Sequence, residues 1–145
     1  MTVHLVKLCV GVDEIVELAR WQRKRMAERR ARKLKRPLIH RTRSTPKRAD
    51  VLLDGGSLYW VIKGVVLVRQ RLVAIEPGAR DDGTPCCELA LHPKLVRTLP
   101  KAMRAFQGWR YLEAGAAPAD LTAATADVAR MPEKLVHELR ALGLL

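Results

Sequence analysis

The chain has 145 residues, 48% of them hydrophobic and 29% charged, which fits one globular domain able to bury a core without disulfides or structural metal. Residues 1–10 lack the basic, apolar and small-residue segments of a signal peptide, and no run approaches the ~18 apolar residues of a membrane span, so a soluble cytoplasmic protein with no membrane partner is expected. The formal charge of +12 is concentrated: residues 20–48 hold 14 Lys and Arg against one acid, Glu28, and the remaining residues carry a net charge of −1.

Residues 2–10, rich in Val and Leu, predict a first strand ending near Gly11. Asp13, Glu14 and Glu17 then open a helix, because carboxylates favour the positive end of the helix dipole and Asp can cap the exposed amides. Ile15, Leu18, Ala19, Gln22 and Met26 form its inner stripe, apolar except for Gln22. The stripe fades after Met26, and from Arg29 to Arg36 basic residues occupy nearly every face, so the helix is expected to project beyond the core until Pro37 stops it. Residues 38–43 predict a short strand, and Pro46 starts a short helix that Asp54, Gly55 and Gly56 end.

Residues 57–63 make the best strand, with Leu58, Trp60 and Ile62 on one face and Tyr59, Val61 and Lys63 on the other. Residues 65–76 predict a strand too long to run straight, with Arg69 and Arg71 on the face of Val65 and Leu67. Asp82-Gly83 readily takes the positive φ angles of a hairpin turn, so residues 85–92 are expected to pair back antiparallel. Residues 93–103 read as a connection with some helical tendency, and residues 106–112 as the final strand. In the tail, residues 118–129 favour helix, and residues 132–142 form an amphipathic helix with Leu135, Val136, Leu139 and Leu142 inward. The sum is an α+β fold: a mixed, mostly antiparallel sheet of five to six strands, a long basic N-terminal helix and C-terminal helices.

Four segments carry a resemblance: residues 4–11 (HLVKLCVG), residues 46–50 (Pro46-Lys47-Arg48-Ala49-Asp50), residues 53–64 (LDGGSLYWVIKG) and residues 106–111 (FQGWRY). Over most of its length the chain resembles a family of small alphaproteobacterial proteins known as a domain of unknown function, a resemblance that implies no activity. In the order of its strands and helices it is more loosely similar to the PUA and ASCH-like domains. That similarity implies closure of the sheet as a pseudo-barrel and binding of RNA or modified bases, without a motif residue to carry over.

The basic arm is the strongest functional feature. Lys and Arg neutralise phosphates and release condensed counterions, and a merely solvated helix face usually interleaves acids at i+4, where this arm offers only Glu28. Arg20, Arg23, Lys24, Arg25, Arg29, Arg30, Arg32, Lys33 and Lys35 on the helix, with Arg41, Arg43, Lys47 and Arg48 after it, are the expected phosphate contacts. Tyr59, Trp60, Trp109 and Tyr111, four of the six aromatic residues of the chain, stand in two strand segments, where aromatic faces can stack on unpaired bases. Trp60 is assigned to the core, whereas Tyr59, Lys63, Trp109, Arg110 and Tyr111 are the expected base-recognition surface.

Other signals are weaker. Gly55-Gly56-Ser57 lacks Walker spacing and precedes a strand, so it reads as a turn. Cys9, Cys86 and Cys87 form an odd set with an adjacent pair, which favours free thiols in a reducing compartment over a disulfide. Cys86, Cys87 and His92 miss the spacing of a zinc site, and His4 and Cys9 fall on opposite faces of one strand; no metal, cofactor or catalytic residue is expected. The expected function is a non-catalytic RNA-binding module. The alternatives are a nucleic-acid-modifying or hydrolytic enzyme whose site is assembled from distant residues, and an adaptor that docks its basic helix on an acidic protein; oligomeric state is left open.

Overall fold

Seven strands and three helices appear in the computed structural model, which describes residues 2–104, 106–121 and 133–141. The strands are β1 (Val3–Leu8), β2 (Ile39–Thr42), β3 (Ser57–Ile62), β4 (Val65–Ala79), β5 (Pro85–Leu91), β6 (Val96–Ala102) and β7 (Trp109–Glu113), and the helices α1 (Ile15–Ala31), α2 (Ala49–Leu52) and α3 (Glu133–Ala141). They form one sheet in the order β2-β5-β4-β3-β1-β7, with β6 added to β4. Only the β1–β3 pair is parallel. β2 and β7 end the path and pair no further strand among the described residues, so the sheet is open and the expected pseudo-barrel closure is absent.

The fifteen-residue β4 is the spine. One edge of its first half takes β3, from Ile62↔Val65 to Ser57↔Arg71. Its other edge takes two strands end to end: β5 runs back from Ala79 to Leu72, the His92 N–H continues the ladder onto the Arg71 carbonyl, and β6 covers Arg69 to Val65. β6 lies where residues 93–103 were expected to be a connection, and it raises the strand count to seven. Charged and proline residues weaken its strand signal, and Pro100 is tolerated because it falls in the register shift of β6 against β4, between Lys101 and Arg97.

Both faces of the sheet are covered. On β3 the expected alternation holds: Leu58, Trp60 and Ile62 join the larger core with α1, and Tyr59 and Val61 join a smaller core with Val6, Val66 and Leu112. The bend foreseen in β4 is a set of register shifts, at Val66/Val68 against β6 and at Leu72/Ala74 against β5. A shifted residue reverses the side-chain alternation. Arg69 therefore leaves the face of Leu67 and bonds Asp120 through both carboxylate oxygens at 2.7 Å, beside Ser57 and Tyr59.

Helix α1 docks through the stripe read from the sequence, with Leu18 and Gln22 buried and Ile15 and Met26 packed at its ends. Gln22 is the key member. Its amide exchanges two hydrogen bonds with buried Gln70 of β4, at 2.8 and 2.9 Å, while Gln70 also accepts the Trp60 indole N–H at 2.9 Å and donates to the His92 carbonyl at 3.1 Å. All four hydrogen-bonding positions of the Gln70 side chain are filled. At the other end of the helix axis, the first amide, of Ile15, is capped by the Glu133 carboxylate of α3 and not by Asp13.

The helix does not continue to Pro37. It stops at Ala31 in a Schellman turn, with the Lys33 N–H on the Arg30 carbonyl, the Leu34 N–H on the Arg29 carbonyl, and Lys33 at φ 55 where glycine is usual. The chain then folds back, held by Arg29 on the Arg36 carbonyl and by an Arg36–Glu76 ion pair at 3.0 Å. Of the expected tail helices, residues 118–121 are not helical, Asp120 bridging to Thr98, and residues 122–129 lie outside the described residues. In α3, Val136 is buried, Leu135 is exposed instead of inward, and Leu139 and Leu142 lie outside the described side chains.

Replacing Gln70 by Leu strands the Gln22 amide and the Trp60 indole in the core. We expect a loss on the order of 3 kcal/mol in urea unfolding, with the Gln22→Leu/Gln70→Leu pair costing less than the sum of its single changes. Gly56 is a second point of strict demand: a Cβ there would sit 2.6 Å from the Val3 carbonyl oxygen and closer still to that of Leu52. Gly56→Ala is expected to cost on the order of 3 kcal/mol in the same assay.

Candidate functional site

The two ends of the open sheet are joined by side chains. The loop after β2 reaches β7, where the Trp109 indole N–H donates to the Ser44 carbonyl at 2.9 Å and the Tyr111 hydroxyl accepts the Arg48 N–H at 3.1 Å. The two rings meet edge to face at 5.0 Å. Strand register sets Lys7 between Trp60 on one side and Trp109 on the other. Around these groups opens a cleft of about 760 Å3, lined by Lys7 of β1, Arg41 at β2, Arg43 and Lys47 of the loop, Arg80 of the β4–β5 turn, and Arg110. Trp109, Tyr111 and the hydroxyl residues Thr42, Ser44 and Thr45 complete most of its wall, and among the described residues no acid lines it.

Two further cavities adjoin the cleft through shared residues. One of about 450 Å3 runs toward α1, where Trp21, Arg25, Arg29 and Arg32 follow helical spacing on one face and meet Arg41 and Arg80. The other, about 440 Å3, shares Lys7 with the cleft and is lined by Cys9, Trp21, His40 and Trp60 among others. His40 records the local field. Burial, followed by the charges of Lys7, Arg25 and Arg80, depresses its pKa from 6.5 to about 4. Cations from β1, α1 and the β4–β5 turn thus converge on one imidazole, whose Nε2 is buried and without a hydrogen-bond partner. Lys7 is itself held below the ordinary lysine range by burial and by Arg80, while burial pushes the Cys9 thiol up to about 12.

The residues expected from the sequence divide accordingly. Arg41, Arg43, Lys47, Trp109, Arg110 and Tyr111 line the cleft, and Arg25, Arg29 and Arg32 its extension. Arg41 is partly neutralised by Glu88 and Asp81, and the Arg110 guanidinium rests 5.4 Å over Phe106. Arg48 leans over Tyr111 and pairs with Glu113. Arg20, Arg23, Lys24, Arg30, Lys33 and Lys35 are exposed on α1 and its end but line none of these three cavities.

Tyr59 and Lys63 separate from the group. Tyr59 is 4% exposed on the opposite face of the sheet, edge-on to His4. Lys63 occupies the tight turn between β3 and β4 at φ 49, in a depression beside Asp13, Glu14 and Glu133. Lys7, His40 and Arg80 were missed. Lys7 and His40 sit singly in strand segments, and only the register of distant strands gives them neighbours; Arg80 flanks a turn and carries no pattern of its own.

A model of the DUF1489 family, described as proteins of unknown function, matches residues 5–145, and the chain belongs to that family. No curated protein and no solved structure matches it. No helix among the described residues is long and apolar enough to cross a membrane.

The displaced titration of His40 has a signed consequence. In the folded protein the ring stays neutral to about pH 4, whereas the unfolded chain takes up a proton near 6.5, so its contribution is complete above pH 6.5 and is lost as pH falls toward 4. That window corresponds to on the order of 3 kcal/mol. Urea midpoints measured from pH 7 to pH 4 should fall less steeply for His40→Phe than for the unaltered protein.

Proposed function

We propose that this protein is a nucleic-acid-binding module, with single-stranded RNA as the favoured ligand and no catalytic step of its own. The observation that carries the reading is the makeup of the 760 Å3 cleft: cationic side chains from β1, β2, the following loop, the β4–β5 turn and β7 line one space, with no acid among its described lining residues. Charges drawn from separate elements to one concavity lack the interleaved acids that neutralise an ordinary solvated helix. Only Arg41 among the six cations is drawn into an ion pair with a described acid. A phosphate chain has the charge density to answer the rest, and binding it releases counterions.

Two observations favour RNA in single-stranded form over a generic polyanion. Trp109 and Tyr111 bring aromatic rings into the same cleft, where unpaired bases can stack. The Thr42, Ser44 and Thr45 hydroxyls supply donors and acceptors that suit ribose and phosphate oxygens. The stripe Arg25, Arg29 and Arg32 extends the basic surface beyond the cleft along α1, so a strand longer than the cleft has further phosphate contacts.

The test is a salt series of binding to a single-stranded and a structured RNA, using protein freed of co-purifying nucleic acid. For the unaltered protein, affinity should fall steeply with salt. Arg43→Glu/Lys47→Glu should bind at least about tenfold more weakly, with a salt slope shallower by about 1.4 on a single strand, as two lost phosphate contacts imply. Absence of binding at physiological salt would overturn the reading in favour of an acidic protein partner.

A further inference from the structure

The 440 Å3 cavity beside the cleft is chemically unlike it. Its lining is mostly apolar, with buried Trp60 and Cys9 next to Val10 and Trp21, which are 80% and 43% exposed. Large apolar groups left open to water at a concave site mark a place for a ligand. The volume lies at the lower end of the ~300–1,000 Å3 typical of small-molecule pockets. His40, which lines it, packs edge-on to Trp60 at 5.0 Å, and its Nε2, closed to solvent in this conformation, is without a partner. A buried ring nitrogen with no hydrogen bond is uncommon in native proteins and calls for a polar atom from elsewhere.

Three features restrict the occupant. The apolar lining and the aromatic walls favour a flat ring. The orphan His40 Nε2 requires that ring to have a polar edge. Lys7 lines both this cavity and the cationic cleft, so the ring is expected to be tethered to an anion lying next door. An acyl chain or an apolar peptide side chain satisfies the first condition and fails the second. We propose that this cavity receives one unpaired nucleobase of a strand whose phosphates occupy the adjacent cleft, with Trp21 as the stacking ring and His40 Nε2 as the hydrogen-bonding group at the base edge.

Trp21 is suited to this role by its own surroundings. It projects from α1 toward the cavity and stays half-open to solvent, with the Arg25 guanidinium 4.7 Å from its ring centre. A base stacked there would lie beside a cation already directed at the ring. Trp60 serves as wall only, because its indole N–H is committed to Gln70.

This inference rests on the nucleic-acid reading above, and the experiment separates the two. The probes are a short strand of abasic ribose-analogue spacers and the same strand carrying a single adenine, titrated against the intact protein at several salt concentrations. The base-bearing strand is expected to bind about tenfold more tightly, the effect of one stacked base. Trp21→Ala, a change at an exposed position, should abolish that gain and leave the affinity of the abasic strand within about twofold of its original value. Equal, salt-dependent binding of both strands would overturn the base pocket and leave the cationic cleft standing. If neither strand binds, both readings are overturned. A gain from the base that survives both Trp21→Ala and His40→Phe would place the base elsewhere and defeat the assignment.

Discussion

A single glutamine amide governs how the helix meets the sheet. Gln70 sits in the middle of β4 and binds Gln22 of α1, the indole of Trp60 in β3 and the backbone at His92. A hydrophobic contact tolerates sliding by a fraction of a turn, but a reciprocal amide pair in a dry core does not, since a shift breaks both bonds and leaves the Gln22 amide oxygen and nitrogen unpaired. The rotation of α1 about its axis is fixed by this constraint. Because it is fixed, Trp21, Arg25, Arg29 and Arg32 face the space above β2, and the remaining helix cations face water. The most conspicuous feature of the sequence thus acquires direction from two uncharged residues.

The cleft itself is a product of incomplete closure. β4 carries neighbours on both edges along much of its length, and the sheet curls around it until β7 and the end of β2 approach, without forming a ladder. Trp109 and Tyr111 bridge the gap with side chains where a barrel would use backbone. The spacing left between the ends admits six cationic residues; burial first, and then the charges of Lys7, Arg25 and Arg80, keep His40 uncharged far below its usual range.

What the sequence revealed and what it hid follow from the range of the forces involved. The alternation of Leu58, Trp60 and Ile62 against Tyr59 and Val61, the Asp82-Gly83 turn and the α1 stripe are local patterns, and the structure keeps them. β6 escaped because its stability comes from β4 and not from its own residues. The end of α1 was misplaced because Lys33 takes a conformation that composition assigns to glycine. Arg69 changed face through a one-residue shift in register that no periodicity displays. Most of the cleft's charged and aromatic lining was legible in the sequence, namely Arg41, Arg43, Lys47, Trp109, Arg110 and Tyr111. Lys7, His40 and Arg80 acquire meaning only when strands more than thirty residues apart are set side by side.

The position of β1 has a consequence for how the chain is made. It is made before both of its partners: β3 follows more than fifty residues later, and β7, whose Glu113 pairs with Val3, later still. Contacts of such separation close slowly. During synthesis Val3, Leu5 and Val6, all buried in the finished fold, stand as an apolar segment with bare edges until the last strand arrives, the condition under which chains pair with one another. The yield of folded protein therefore depends on the speed with which β1 finds β3 and β7.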